Sequence, residues 1–106
     1  MSQPKPVEKG VVVPTALINF IETHERLTET EKTALVKLIY ERDELGRSKY
    51  GQSLMSLDGR SGVQDCLEEL GDLLQYAFKC KLNGSEDTYR LRSMIKSAII
   101  LLEDIL

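Results

Sequence analysis

The sequence predicts an all-α fold: four helices in a bundle-like domain that oligomerisation completes. Three observations carry that reading. Apolar residues recur at helical spacing in four separate segments. Capping or stop residues bound those segments, with Thr28 and Glu31 forming one capping box, Ser61 and Gln64 a second, and Asn83-Gly84 an αL stop. Nothing in the pattern requires a sheet. The chain has 106 residues and 42% hydrophobic content, enough for one small domain with a modest core.

Composition narrows the partners. A net charge of -3 makes the chain a poor candidate for non-specific nucleic-acid binding, so no nucleic-acid partner is expected. The N-terminus has no apolar h-region and no apolar run approaches about 18 residues, so neither a signal peptide nor a membrane span is expected. Cys66 and Cys80 lie on one predicted helix, roughly 21 Å apart along its axis, and cannot bridge each other. As small hydrophobes they fit a reducing cytoplasm, the expected location.

Residues 1–13 read as a flexible tail, in which Val11, Val12 and Val13 make a short extended piece laid on the body or on a partner subunit. Residues 14–106 read as a single domain. Pro14 suits a helix start, and Leu17, Ile18, Phe20 and Ile21 give a first helix ending near Arg26. The lone His24 sits at its polar end, and no second histidine or cysteine supplies a metal-ligand spacing. The second helix runs from about 29 to 47, with Ala34, Leu35, Leu38, Ile39 and Leu45 as its buried arc. Glu41 lies at the border of that arc and Glu44 further round. Arg42 projects from within the arc and is expected to pack its stem and pair with an acid.

The stretch from Gly46 to Gly62 carries four glycines and the cations Arg47, Lys49 and Arg60, and it reads as a loop. It lacks the GxxxxGK[ST] and GxGxxG patterns, so it is neither a P-loop nor a dinucleotide fingerprint. Either it is a connector whose cations balance nearby acids, or it handles phosphate beside the next helix.

The third helix, 63 to 82, is the centre of the functional question. Val63, Leu67, Leu70, Leu74, Ala77 and Phe78 form the stripe expected to face a core. Asp65, Glu68, Glu69 and Asp72 bear four carboxylates within eight residues, with no Lys or Arg among them. Like charges at helical spacing destabilise by a few tenths of a kcal/mol per pair, so a neutralising partner is expected. Converging carboxylates suit a hard divalent cation such as Mg²⁺. After Gly84, Ser85 with Glu86 and Asp87 opens the last helix. Its inner face is expected at Leu91, Met94, Ile95, Ala98, Ile99, Leu102 and Ile105. Ile100, Leu101 and Leu106 widen the stripe beyond what a small bundle needs, which points to a subunit interface.

Residues 41 to 77, ERDELGRSKYGQSLMSLDGRSGVQDCLEELGDLLQYA, resemble the small phage-type members of the MazG-like all-α nucleoside triphosphate pyrophosphatase superfamily. Glu41 and Glu44 fit the superfamily's ExxE element, and Glu69 and Asp72 its ExxD. KYG at 49–51, DGR at 58–60 and the series Asp65, Glu69, Asp72, Tyr76 are similar to the phage-type subgroup. The family's first motif often opens with two adjacent acids, and here Tyr40 precedes Glu41.

The resemblance implies hydrolysis of a ribo- or deoxyribonucleoside triphosphate between the α and β phosphates, releasing a monophosphate and pyrophosphate, as in nucleotide-pool house-cleaning. It implies Mg²⁺, with Mn²⁺ as an alternative, held by Glu41, Glu44, Glu69 and Asp72 with Asp65 as a further ligand. Glu44 or Glu68 is the candidate base. Lys49 and Arg60 are candidates for binding phosphate, and Tyr50 and Tyr76 for stacking on or hydrogen-bonding the nucleoside. A homo-oligomer, dimer or tetramer, is expected to close the acidic cleft. The alternative is a non-catalytic helical oligomerisation or interaction module, or a sensor that binds nucleotides without cleaving them.

Overall fold

The computed structural model describes residues 3–84 and 86–106 and is all-α over its ordered elements. Helix α1 spans Val13–Glu22, α2 Glu29–Tyr50, α3 Gly62–Asn83 and α4 Tyr89–Ile105. Among the described residues none of these helices is long and apolar enough to cross a membrane.

Local chemistry accounts for the helix ends. Pro14 occupies the first turn of α1, where its missing N–H costs nothing. The Thr28 hydroxyl accepts from the Glu31 amide at 3.1 Å, while the Glu31 carboxylate accepts from the Thr28 amide at 2.8 Å, the reciprocal box expected there. Ser61 accepts from the Gln64 amide at 3.1 Å and starts α3. Gly51 and Gly84 end α2 and α3 at φ +75° and +69°, a left-handed conformation that other residues adopt at a cost. Several boundaries differ from the sequence reading. α1 ends at Glu22, and α2 continues to Tyr50, so Lys49 and Tyr50 belong to a helix rather than to the loop. α4 begins at Tyr89, after Glu86 and Asp87. The start assigned to Ser85 lies outside the described residues.

The core lies between α1, the first half of α2, and α4. Ile21, Leu27, Leu35 and Leu101 are buried together, with Leu17, Phe20, Val36, Ile39, Met94 and Ile100 packed around them. On α4, Met94, Ser97, Leu101 and Asp104 share the inner face at spacings of three and four residues. The expected inner stripe is therefore rotated: Ile99, Leu102 and Ile105 are exposed, while Leu101, assigned to the surplus, is buried. A wide apolar arc leaves two faces that can turn inward, and the core takes the one carrying Ser97, whose hydroxyl donates to Glu31 at 3.0 Å. On α2, Leu45 is exposed because the core covers only the helix's first half, Leu38 because it lies on a different side of the helix from the core residues Leu35, Val36 and Ile39, and Arg42 is likewise exposed.

The main departure is α3. Its stripe was expected in the core, yet α3 contributes no buried residue, and Val63, Leu67, Leu70, Leu74 and Phe78 are between 51% and 72% exposed. α1 packs on α2 and α2 on α4, whereas α3 has no comparable packing partner. The radius of gyration, 15.1 Å, exceeds the roughly 13 Å of a compact chain of this length.

The N-terminal segment is not free of the body. Val7 and Val13 donate backbone hydrogen bonds to Asp58 at 2.9 Å and Leu54 at 2.8 Å, and Ser56 and Leu57 donate back to Val11 at 2.9 Å and Lys9 at 3.0 Å. A single antiparallel bridge joins Val12 and Met55. Residues 3–12 thus form an extended strap along the loop between α2 and α3; Val11 and Val12 lie in it, whereas Val13, expected in the same extended piece, is the first residue of α1.

Candidate functional site

Glu41 and Glu44 share one face of α2 with Lys37 and Tyr40, because residues three and four apart align on a helix. With Glu22 and Lys32, they line an open groove of about 770 Å³ along α1 and α2. Lys32 is held within it, donating to the Glu22 carbonyl at 3.1 Å and lying 3.5 Å from the Glu29 carboxylate. Glu41 and Glu44 are exposed, and among the described residues neither enters an ion pair. The nearby Asp43 pairs instead with Arg47 at 3.3 Å.

Glu68, Glu69 and Asp72 are exposed on α3, with the Gln64 side chain donating through Nε2 to Glu68 at 3.3 Å. Tyr76 is exposed on the same helix. At the end of α2, the Lys49 ammonium sits 5.1 Å from the centroid of the Tyr50 ring, within cation–π range. That contact pairs two of the substrate-binding candidates with each other.

The loop candidates are engaged within the chain. Arg60 donates through Nη2 to Asp65 at 3.1 Å and through Nη1 to the Pro4 carbonyl at 3.1 Å. The hydrogen bond to Asp65 raises the Arg60 guanidinium above its ordinary value. Asp65 also accepts from Gln3 Nε2 at 2.7 Å, and Gln3 Oε1 accepts from the Ser61 amide. The strap therefore occupies both residues. Asp65, assigned as a metal ligand, has an arginine and an amide as its partners, and Arg60, assigned to phosphate, binds a carboxylate.

Carboxylates are the donor type that Mg²⁺ takes, so the residue types fit that ion. Within the single chain they do not converge: among the described residues no group of three or more His, Cys, Asp or Glu side chains could hold a metal. The expected ligands are divided between the exposed face of α2, the exposed face of α3 and the strap-covered first turn of α3, where Asp65 lies.

Two features lay outside the sequence reading. Asp58 is 4% exposed, and its Oδ1 accepts from the Arg60 amide at 3.0 Å, closing a turn over Gly59 at φ +84°. Its Oδ2 is buried without a hydrogen-bond partner. The Asp-Gly pair signals such a turn, but nothing in it signals burial. The second feature is His24, which is buried against Asp104 and Phe20 rather than standing at a polar end. No local pattern joins residues so far apart in the chain.

Comparison with family profiles, with curated proteins and with solved structures finds no match to this chain.

Proposed function

We propose that the chain is a Mg²⁺-dependent nucleoside triphosphate pyrophosphohydrolase that cleaves (d)NTP to (d)NMP and pyrophosphate in the cytoplasm. One observation carries the reading. The ordered set Glu41, Glu44, KYG, DGR, Glu69, Asp72 lies on two long helices and the loop between them, and among the described residues its four acids are exposed and without cation partners.

Glu41, Glu44, Glu69 and Asp72 are the residues that would hold the metal, joined by Asp65 once Arg60 and Gln3 release it. Bound Mg²⁺ would neutralise phosphate oxygens and acidify a water. Glu44 or Glu68 would be placed to accept a proton from the attacking water. Lys49 and Arg60 bind phosphate oxygens, and Tyr50 and Tyr76 hold the nucleoside.

The test is pyrophosphate release from a panel of ribo- and deoxyribonucleoside triphosphates with Mg²⁺, Mn²⁺ or EDTA, beside a Glu69→Gln control. Metal-dependent release that vanishes in Glu69→Gln supports the proposal. Release that persists unchanged in that variant removes Glu69 from the site, and no release from any nucleotide refutes the activity.

The unpartnered apolar stripe of α3 favours a second reading, a non-catalytic interaction module. The two differ in ligand response: a nucleotide site raises the melting temperature by mass action when Mg²⁺ and nucleotide are added, and a purely structural module does not respond. Stabilisation without product marks a nucleotide-binding sensor.

A further inference from the structure

We infer, on the basis of the nucleotide site proposed above, that the strap of residues 3–12 is an autoinhibitory cover: its first residues hold Asp65 and Arg60 in the free chain, and a phosphate ligand must displace them to bind.

The strap meets the site at one carboxylate oxygen. Gln3 Nε2 at 2.7 Å and Arg60 Nη2 at 3.1 Å both donate to Oδ1 of Asp65. Gln3 Oε1 accepts from the Ser61 amide, and the Pro4 carbonyl accepts from Arg60 Nη1 at 3.1 Å. A guanidinium recognises phosphate by offering two N–H groups side by side. In the closed chain one arm of the Arg60 fork lies on a carboxylate and the other on a backbone carbonyl, so neither is open to an incoming anion. Tyr50 and Asp58 add to the effect of Asp65 on the Arg60 guanidinium through their charge, so the end of α2 lies beside it, with Lys49 over the Tyr50 ring. Lys49, Tyr50, Arg60 and Asp65 thus share one neighbourhood, which the strap enters at Gln3 and Pro4.

The strap is held in a way that lets it leave. Beyond Pro4 its ties are backbone hydrogen bonds to residues 54–58, joined by Gln52 Nε2 to the Val7 carbonyl at 2.9 Å and the Val11 amide to the Ser56 hydroxyl at 2.8 Å. None of residues 3–12 is buried, and Val7, Val11 and Val12 stand exposed, so no apolar side chain anchors the segment in the core. Segments held by hydrogen bonds without apolar burial open at a free energy well below that of global unfolding. Asp58, whose carbonyl takes the Val7 amide, adds to the cost of the closed form, because its buried Oδ2 has no partner until water reaches it.

A ligand that binds only the open form has its affinity reduced by the fraction of chains that are open. Loosening the strap therefore tightens binding, and by reciprocity binding opens the strap.

The test uses inorganic pyrophosphate with Mg²⁺, titrated by calorimetry into the full chain, into Gln3→Ala and into Gly10→Ala, with amide hydrogen exchange on all three. Gln3→Ala removes the side chain that bridges Asp65 and Ser61. Gly10→Ala loosens the strap at its other end, touching no residue of the site. Loss of the two Gln3 hydrogen bonds should tighten pyrophosphate binding about tenfold, and Gly10→Ala should shift it the same way. In the wild-type chain, saturating pyrophosphate should speed exchange at the Val7 and Ser61 amides, a reading that depends on neither variant.

Binding that is equal or weaker in variants whose strap amides exchange faster overturns the cover and leaves the nucleotide site standing. So does binding to the wild type with the Val7 and Ser61 amides still protected. No binding by any of the three proteins has a different meaning: it refutes the phosphate site itself, and the cover with it.

Discussion

Nε2 of His24 lies 2.6 Å from Oδ2 of Asp104, a contact that ties the end of α1 to the last turn of α4 across 80 residues. The ring is 7% exposed and the carboxylate 43%, so the histidine is sealed in while its partner reaches water. Phe20 meets the ring edge-on at 5.5 Å, and Arg26 adds contacts of 3.1 Å to Glu103 and 3.5 Å to Asp104. A chain whose third helix adds nothing to the core depends on such ties to close its remaining three.

His24→Ala is expected to destabilise the fold by about 1–3 kcal/mol, because it removes a buried partner and opens space beside Phe20. Asp104→Asn keeps an acceptor and should cost less. Arg26→Ala removes an exposed ion pair and should cost only a few tenths of a kcal/mol. Urea denaturation of the three variants checks the order.

Glu31 links α2 to α4 and carries a pH dependence. The Thr28 amide, then the Ser97 hydroxyl, hold its carboxyl below the ordinary 4.5. A carboxyl depressed in the folded state contributes stability that is present above its unfolded value and lost as pH falls through the folded one. Glu31→Gln should therefore melt below the wild type at pH 7, and the two curves should converge below 4.5. Melting temperatures across that range test the sign.

The strap should be sensitive at Gly10. Its φ is +94°, and a Cβ there would meet the Ser56 hydroxyl and lie 2.9 Å from the Leu57 amide nitrogen. Gly10→Ala should unseat the strap and speed hydrogen exchange at the Ser56 and Leu57 amides, which now donate to Val11 and Lys9. Unchanged protection at those amides would mean that the pairing tolerates a side chain.

Core and stripe leucines should behave differently. Leu35→Ala removes a buried side chain and should cost about 2–4 kcal/mol whatever the protein concentration. Leu74→Ala lies on the exposed stripe, so its effect should appear only where chains associate. Denaturation at two widely separated concentrations separates the cases.

The helices themselves were legible in the sequence because the signals that begin and end them are local. The Thr28–Glu31 box, the Ser61 cap and the Gly84 stop act within one turn, and all three sit where the sequence places them. Lys49 and Tyr50 were misplaced because GRSKYG carries a glycine early, at Gly46, and the helix runs through it to stop at Gly51. Of the candidate site, the sequence identified exposed acids on α2 and α3, but it could not reveal that Gln3 and Pro4 reach across the chain to Asp65 and Arg60.

The sequence by itself determined the all-α class and the four helices, since propensity, caps and periodicity depend only on near neighbours along the chain. The tertiary structure alone decided which apolar arc is buried. An arc records that a face avoids water without recording what covers it, so the weaker-looking α4 face with Ser97 and Leu101 entered the core while the regular stripe of α3 stayed outside. Long-range partners decided the rest, placing His24 on Asp104 and Arg60 on Asp65. Such pairings depend on how the whole chain closes, and no window of sequence contains both partners of the first.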